Sequence, residues 1–235
     1  MRLLDRIGAS VLVADGAMGT QLQLAGLAMG GGGEAWNVAH PDRVHAIHAA
    51  YLAAGSEVIL TNTFGASRFT LASYGLAGRR DALNTAAARL AREAAGTGAV
   101  VLGDVGPTGQ LLEPLGVVTR DALREDASAR CRALLAGGVD GIILETLTAA
   151  DEAAVAVEAA LDASAPCVIA SFAFEKRRNG RVATLMGLSA SEAGALARAS
   201  GASMVGANCG THLAFSDFAA LAGELAGSGL AGVRV

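Results

Sequence analysis

Cys209 stands in the run Gly206-Ala207-Asn208-Cys209-Gly210, the setting of a thiolate at the end of a β-strand and of the first ligand of a metal site. A zinc ion held by thiolates takes three or four protein ligands. His212 lies three residues further on, and the resulting Cys-x-x-His spacing offers a second ligand. Against this stands a plainer role for Cys209 as a small buried hydrophobe. Glu145 is harder to explain by packing. It follows Ile142-Ile143-Leu144, so burial of that strand leaves a carboxylate at its mouth. A buried carboxylate without a partner is costly, so Glu145 is expected to meet a cation or a substrate amine. Asp15 either caps the turn that follows it or lines the same mouth, and Asn62 and Asn208 have the chemistry to bond loop backbone.

Other candidates read as structural. His45 and His48 share one helix at a spacing of three but lie around its apolar stripe, which suits surface or packing roles. Cys131 falls within a helix and Cys167 at a strand start, away from the strand ends where chemistry gathers. The run Gly30-Gly31-Gly32-Gly33 has no strand directly before it and no Lys-Ser/Thr after it, so it is a turn before Trp36 and not a phosphate loop.

These residues need a scaffold, and the chain supplies one in a regular alternation of short apolar runs and amphipathic segments. Strands are expected at 10–14, 57–61, 100–103, 141–145, 167–173, 204–207 and 232–235. Pro41 with Asp42 opens a helix whose stripe is Val44, Ile47 and Tyr51. Thr148 with Asp151 is expected to start another, and Ser189-Ala190-Ser191-Glu192 forms a capping box for a third. Gly55, Gly138 and Gly201 are placed to terminate helices. Seven strands at this spacing predict a parallel α/β fold of the (β/α)8 barrel type, with the last βα unit absent and one domain over 1–235. A doubly wound sheet is the rival, weakened by the lack of G-x-G-x-x-G after the first strand.

Composition bounds the function. Hydrophobic residues make up 52% and aromatics 4%, a mix suited to buried parallel strands. A net charge of -4, with no basic cluster beyond Lys176-Arg177-Arg178, argues against a nucleic-acid partner. No segment approaches a membrane span and none has the form of a signal peptide. Three cysteines without framework spacing suit a reducing compartment, and a cytoplasmic protein is expected.

The strand-end segments stand in a telling order. They are Asp15-Gly16-Ala17-Met18-Gly19-Thr20, Trp36-Asn37 with His40-Pro41, Thr61-Asn62-Thr63-Phe64-Gly65-Ala66-Ser67, Gly106-Pro107-Thr108-Gly109, Glu145-Thr146 and Gly206-Ala207-Asn208-Cys209. Together they resemble the homocysteine S-methyltransferase family, including the homocysteine-binding module of cobalamin-dependent methionine synthase. The likeness runs from about Leu12 to Cys209. It implies a β/α barrel in which Zn2+ activates the sulfur of homocysteine for attack on a methyl group, giving methionine. It implies Asp15, Gly16, Asn62, Glu145 and Asn208 at the amino-acid pocket, and Cys209 as the first of three thiolates on the metal. The donor is a methylated corrinoid (cobalamin-linked, from another domain or protein), a methylsulfonium or a betaine.

The other two thiolates come, by the same resemblance, from a Gly-Gly-Cys-Cys-Gly segment on the last strand. The present sequence ends at Ala231-Gly232-Val233-Arg234-Val235 without it. Three expectations follow: a fragment of a longer protein, a barrel completed by a partner subunit, or a lineage that lost zinc chemistry. With one thiolate matched, the chain alone is expected to bind zinc weakly. A non-catalytic amino-acid-binding module is the alternative to an S-methyltransferase. A different methyl-transfer or lyase enzyme using Cys209 and His212 is a third reading.

Overall fold

A computed structural model describes residues 3–7, 10–230 and 233–234. The chain opens with α1 (Leu3–Ile7), α2 (Met18–Leu24), α3 (Trp36–Ala39) and α4 (Pro41–Ala53). It then alternates β1 (Val58–Leu60), α5 (Arg68–Ala72), α6 (Arg80–Ala95), β2 (Val100–Val105), α7 (Arg120–Ala136), β3 (Gly141–Leu147) and α8 (Ala150–Asp162). The remainder is β4 (Val168–Lys176), β5 (Val182–Thr184), α9 (Ala190–Ala199), β6 (Met204–Thr211), α10 (Phe215–Ala226) and β7 (Val233–Arg234). The sheet order is β1-β2-β3-β4-β6-β7, every neighbour parallel, with β5 hairpinned antiparallel onto β4.

Each strand divides its side chains between two faces, because successive residues point to opposite sides. One set, including Ile59, Val101, Ile142, Leu144, Val168, Phe172 and Val205, packs against Ala88, Ala91, Leu134, Ala156, Ala160 and Ala197 of the covering helices. Alanine on those helices keeps their axes close to the sheet. The other set, Val58, Val100, Leu102, Ile143, Ile169 and Met204, packs against Leu3 of α1 at the start of the strands. Continuing that second set by twos along the chain reaches Asp104, Glu145, Ser171 and Asn208. One face is therefore apolar at the N-terminal end of the sheet and polar at the C-terminal end.

The helix signals operate largely as read. Pro41 opens α4, Ser189 and Glu192 close a reciprocal capping box, and Gly55, Gly138 and Gly201 follow their helices with φ between 90° and 106°. Thr148 is a correction: α8 begins at Ala150 without a side-chain cap, and the Thr148 carbonyl instead accepts a bond from Thr184 Oγ1 at 2.8 Å.

Strand limits differ more. The expected strand at 10–14 is an extended segment with a single parallel bridge, Ala14 to Val58. Leu12 and Ala14 face the N-terminal core while Val11 and Val13 lie exposed, so no second ladder holds it. The strands expected at 100–103, 141–145, 167–173 and 204–207 all run two to four residues further, and β5 was not anticipated. Of the strand expected at 232–235, Val233 and Arg234 pair with Val205 and Gly206, while Gly232 and Val235 lie outside the described residues. Among the described residues no pairing joins β7 to the segment at Ala14.

Candidate active site at the C-terminal strand ends

A cavity of about 730 Å³ opens at the C-terminal end of the sheet. Asp15, Gly16, Asn62, Glu145, Asn208 and Cys209 all line it, together with Thr61, Thr63, Phe64, Asp104 and Thr146. Its ionisable side chains include the carboxylates of Asp15, Glu34, Asp104 and Glu145, and no Lys, Arg or His stands among the described lining residues. Such a wall favours a ligand that carries a cation.

Asp15 Oδ2 accepts from the backbone N–H of Leu60 at 2.9 Å, which ties the segment before α2 to β1. Asn62 is buried, and its amide donates to Asn37 Oδ1 and to the Gly33 carbonyl, both at 2.9 Å. Both N–H groups are thereby spent, so toward a ligand Asn62 offers only its carbonyl oxygen. The hydroxyls of Thr61 and Thr63 lie 2.6 Å apart. Thr63 donates to the Asp104 carbonyl at 2.6 Å and Thr61 accepts from the Asp104 N–H at 2.9 Å, which fixes the direction of the chain between them. This ring locks the end of β1 to the end of β2.

Glu145 and Thr146 sit where the β3–β4 register slips between Leu144 and Leu147. A second slip on β4 between Phe172 and Phe174 faces Asn208 and Cys209 of β6. Bulges of this kind re-aim side chains at a sheet rim. Thr146 and Cys209 both have left-handed backbones, with φ of 60° and 54°. For β-branched Thr146 this is a true outlier, costing on the order of 1–3 kcal/mol.

The loop after β2 is clamped from outside. Arg130 of α7, 1% exposed, donates through Nη1 to the Gly106 carbonyl at 2.9 Å and through Nη2 to the Phe64 carbonyl at 3.2 Å. Glu152 of α8 accepts from the Thr108 N–H at 2.9 Å and its hydroxyl at 3.0 Å. Burial lowers the affinity of Arg130 for its proton, opposed by the charge of Asp126.

Sequence reasoning missed Arg130, Glu152, Ser171, Glu34 and Asn37 as parts of the site's support. Asn37 was visible in the Trp36-Asn37 segment; charged helix residues such as Arg130 carry no sign of burial. Burial pushes the Cys131 thiol up to about 12, and Cys167 is buried among apolar residues at the other end of the sheet. His48 is buried with neither ring nitrogen bonded, and burial depresses it to about 4. His212 is exposed and does not line the cavity. Among the described residues no group of three His, Cys, Asp or Glu side chains is placed to hold a metal. Zinc takes three or four Cys, His, Asp or Glu ligands, so Cys209 alone among the described residues is not a fit for it.

Comparisons with known proteins agree with this architecture. The sequence model of the homocysteine S-methyltransferases matches residues 12–226. The methionine synthase of Mycobacterium tuberculosis is 37% identical over 156 residues, 61% of this chain and 13% of that protein. That of Mycobacterium leprae is 34% identical over the same length, again 13% of its own. The chain thus spans about an eighth of the length of these relatives. The homocysteine methyltransferase MmuM from Escherichia coli superposes in its oxidized form with a TM-score of 0.79 at 25% identity, over 99% of this chain and 83% of that one. Its metallated form gives 0.77 at 24%, over 95% and 82%.

Proposed function

This chain belongs to the homocysteine S-methyltransferase family, and from that premise we propose that its cavity binds homocysteine and presents the sulfur for methylation to methionine. The observation that carries the reading is the meeting of Asp15, Asn62, Glu145 and Cys209 in one cavity rich in carboxylates. In this reading Asp15 and Glu145 receive the substrate ammonium, Gly16 allows close approach, and Asn62 accepts from the amino acid. A Cβ on Gly16 would stand 3.0 Å from the Tyr51 hydroxyl, so a side chain there would crowd the wall.

The reaction requires the homocysteine thiol to lose its proton, which passes to solvent water. Its sulfur then forms a bond to the methyl carbon while the bond from methyl to its donor breaks, the electron pair leaving with the donor. A free thiol has a pKa of about 8.5 and is mostly protonated at neutral pH. Fixing the amino-acid end of the substrate leaves the sulfur as the mobile end, at the side of the cavity where Cys209 lies. In this reading the donor is a methylated corrinoid held by another domain or protein, and the chain's relatives include proteins named methionine synthase. Zinc binding through Cys209 would require ligands from outside the described residues, from a further segment or a partner subunit.

The unmatched ligand set favours a second reading, in which the chain holds an amino acid without turning it over. Calorimetric titration with homocysteine, followed by an assay with a methyl donor, separates the two. Binding with turnover supports the enzyme, binding alone the module, and absence of binding refutes both.

A further inference from the structure

Asn208 lines the cavity with every polar position of its side chain engaged. Its Oδ1 accepts from the Thr146 N–H at 3.1 Å and from Ser171 Oγ at 2.6 Å. Its Nδ2 donates to Thr146 Oγ1 at 2.9 Å and to Cys209 Sγ at 3.4 Å. Two lone pairs and two N–H groups are all an amide possesses, so every one is used within the protein. The four contacts reach three strands. Thr146 is on β3, Ser171 on β4 and Cys209 on β6, and β4 separates the other two in the sheet. Both ends of this bridge have left-handed backbones, and each stands at a break in register.

Two strained residues on non-adjacent strands persist only where their surroundings over-determine them. The side chain that joins them supplies that constraint. We propose that Asn208 is a positioning residue, which locks the Glu145–Thr146 bulge and the Cys209 thiol into one arrangement across β4. It thereby fixes the distance between the end of the pocket that grips the amino group and the end that faces the sulfur. The inference rests on the homocysteine reading for its purpose, although the bridge itself needs no ligand.

Labelling of the native full chain with a thiol-reactive aromatic disulfide tests it. Cys209 is exposed whereas Cys131 and Cys167 are buried, so the fast phase reports Cys209. Thr146→Val removes the hydroxyl that Asn208 Nδ2 bonds, on a strand that does not neighbour β6. The labelling rate of Cys209 should change by about fivefold in Thr146→Val, a coupling of ordinary size for groups in one network. Thr146→Ser should restore the wild-type rate, and the Thr146→Val effect should vanish in an Asn208→Ala background. A Cys209 rate indifferent to Thr146→Val, or shifted equally with and without Asn208, would overturn the proposal. If Asn208→Ala does not fold, Ser171→Ala serves instead, since it frees one lone pair of the same amide and should damp the effect. Protection of Cys209 by added homocysteine is read in parallel. Coupling without protection sinks the substrate reading and leaves the bridge; protection without coupling does the reverse.

Discussion

Glu145 continues a sheet face that is apolar lower down, Asp15 lines the same cavity from the segment before α2, and their charge sets what the cavity can hold. Replacing either by its amide, Glu145→Gln or Asp15→Asn, keeps the shape and removes the charge. Each is expected to weaken homocysteine binding by about tenfold or more, the scale of losing a charged partner in a desolvated pair. Calorimetry measures this directly, with unchanged melting temperature as the control. Glu145 was legible in the sequence because an apolar run ended on a carboxylate. His212 lies just past β6 with a left-handed backbone of φ 62°, exposed and outside the cavity lining, because the chain from Cys209 to His212 is not regular strand. His48 gives a prediction of its own. Its folded pKa, about 4, lies below the ordinary 6.5, so between those values the unfolded chain binds the extra proton. Stability should therefore be intact above pH 6.5 and fall as pH drops toward 4, by up to about 3 kcal/mol from this group. Urea unfolding at pH 7 and pH 4.5 reads the slope, and His48→Phe should flatten it.

At the scale of elements, the strand ends are held by helices that never touch the cavity. Arg130 on α7 and Glu152 on α8 grip the loop at Gly106 and Thr108 from behind. Arg130→Met leaves the Gly106 and Phe64 carbonyls without their donor, while Asp126 keeps its ion pair with Arg80 at 3.1 Å. The cost should be about 2–3 kcal/mol, the scale of buried acceptors losing a charged donor, read as a lower urea midpoint with unchanged slope. The sequence showed the helices by their stripes and caps, Ser189 with Glu192 most clearly. It did not show how far the strands run. Asn208 and the Thr61–Thr63 pair extend ordered backbone past the point where apolar patterning stops, through bonds to distant segments that no local window contains. The hairpin strand β5 escaped notice because three residues of mild preference form it only against β4.

For the whole molecule, the parallel sheet has two ends of different kinds from its middle. The segment carrying Val11 and Val13 is held to β1 by one bridge, and β7 by two residue pairs to β6. β2, β3 and β4 are paired on both sides and buried on both faces. Hydrogen exchange should therefore be fast at Val11–Ala14 and slowest in β2 and β3, because local opening follows the number of contacts broken. Equal protection at both places would mean that another segment or subunit covers the edge in solution. No described helix is long and apolar enough to cross a membrane. The barrel-type order of strands was legible from spacing and C-terminal glycines; the weakness of its first member was not, since Val11, Leu12 and Val13 read as a buried run.

Homocysteine held by its ammonium group in the cavity walled by Asp15, Asn62, Glu145 and Cys209 must owe its affinity to that amine. Titration of the full chain with homocysteine, beside the same titration with the des-amino analogue 4-mercaptobutyrate, measures this. Homocysteine should bind saturably, the analogue should fall short of it, and Glu145→Gln with Asp15→Asn should abolish binding. Equal binding of both compounds, or binding untouched by the double substitution, would overturn the assignment of the cavity to homocysteine.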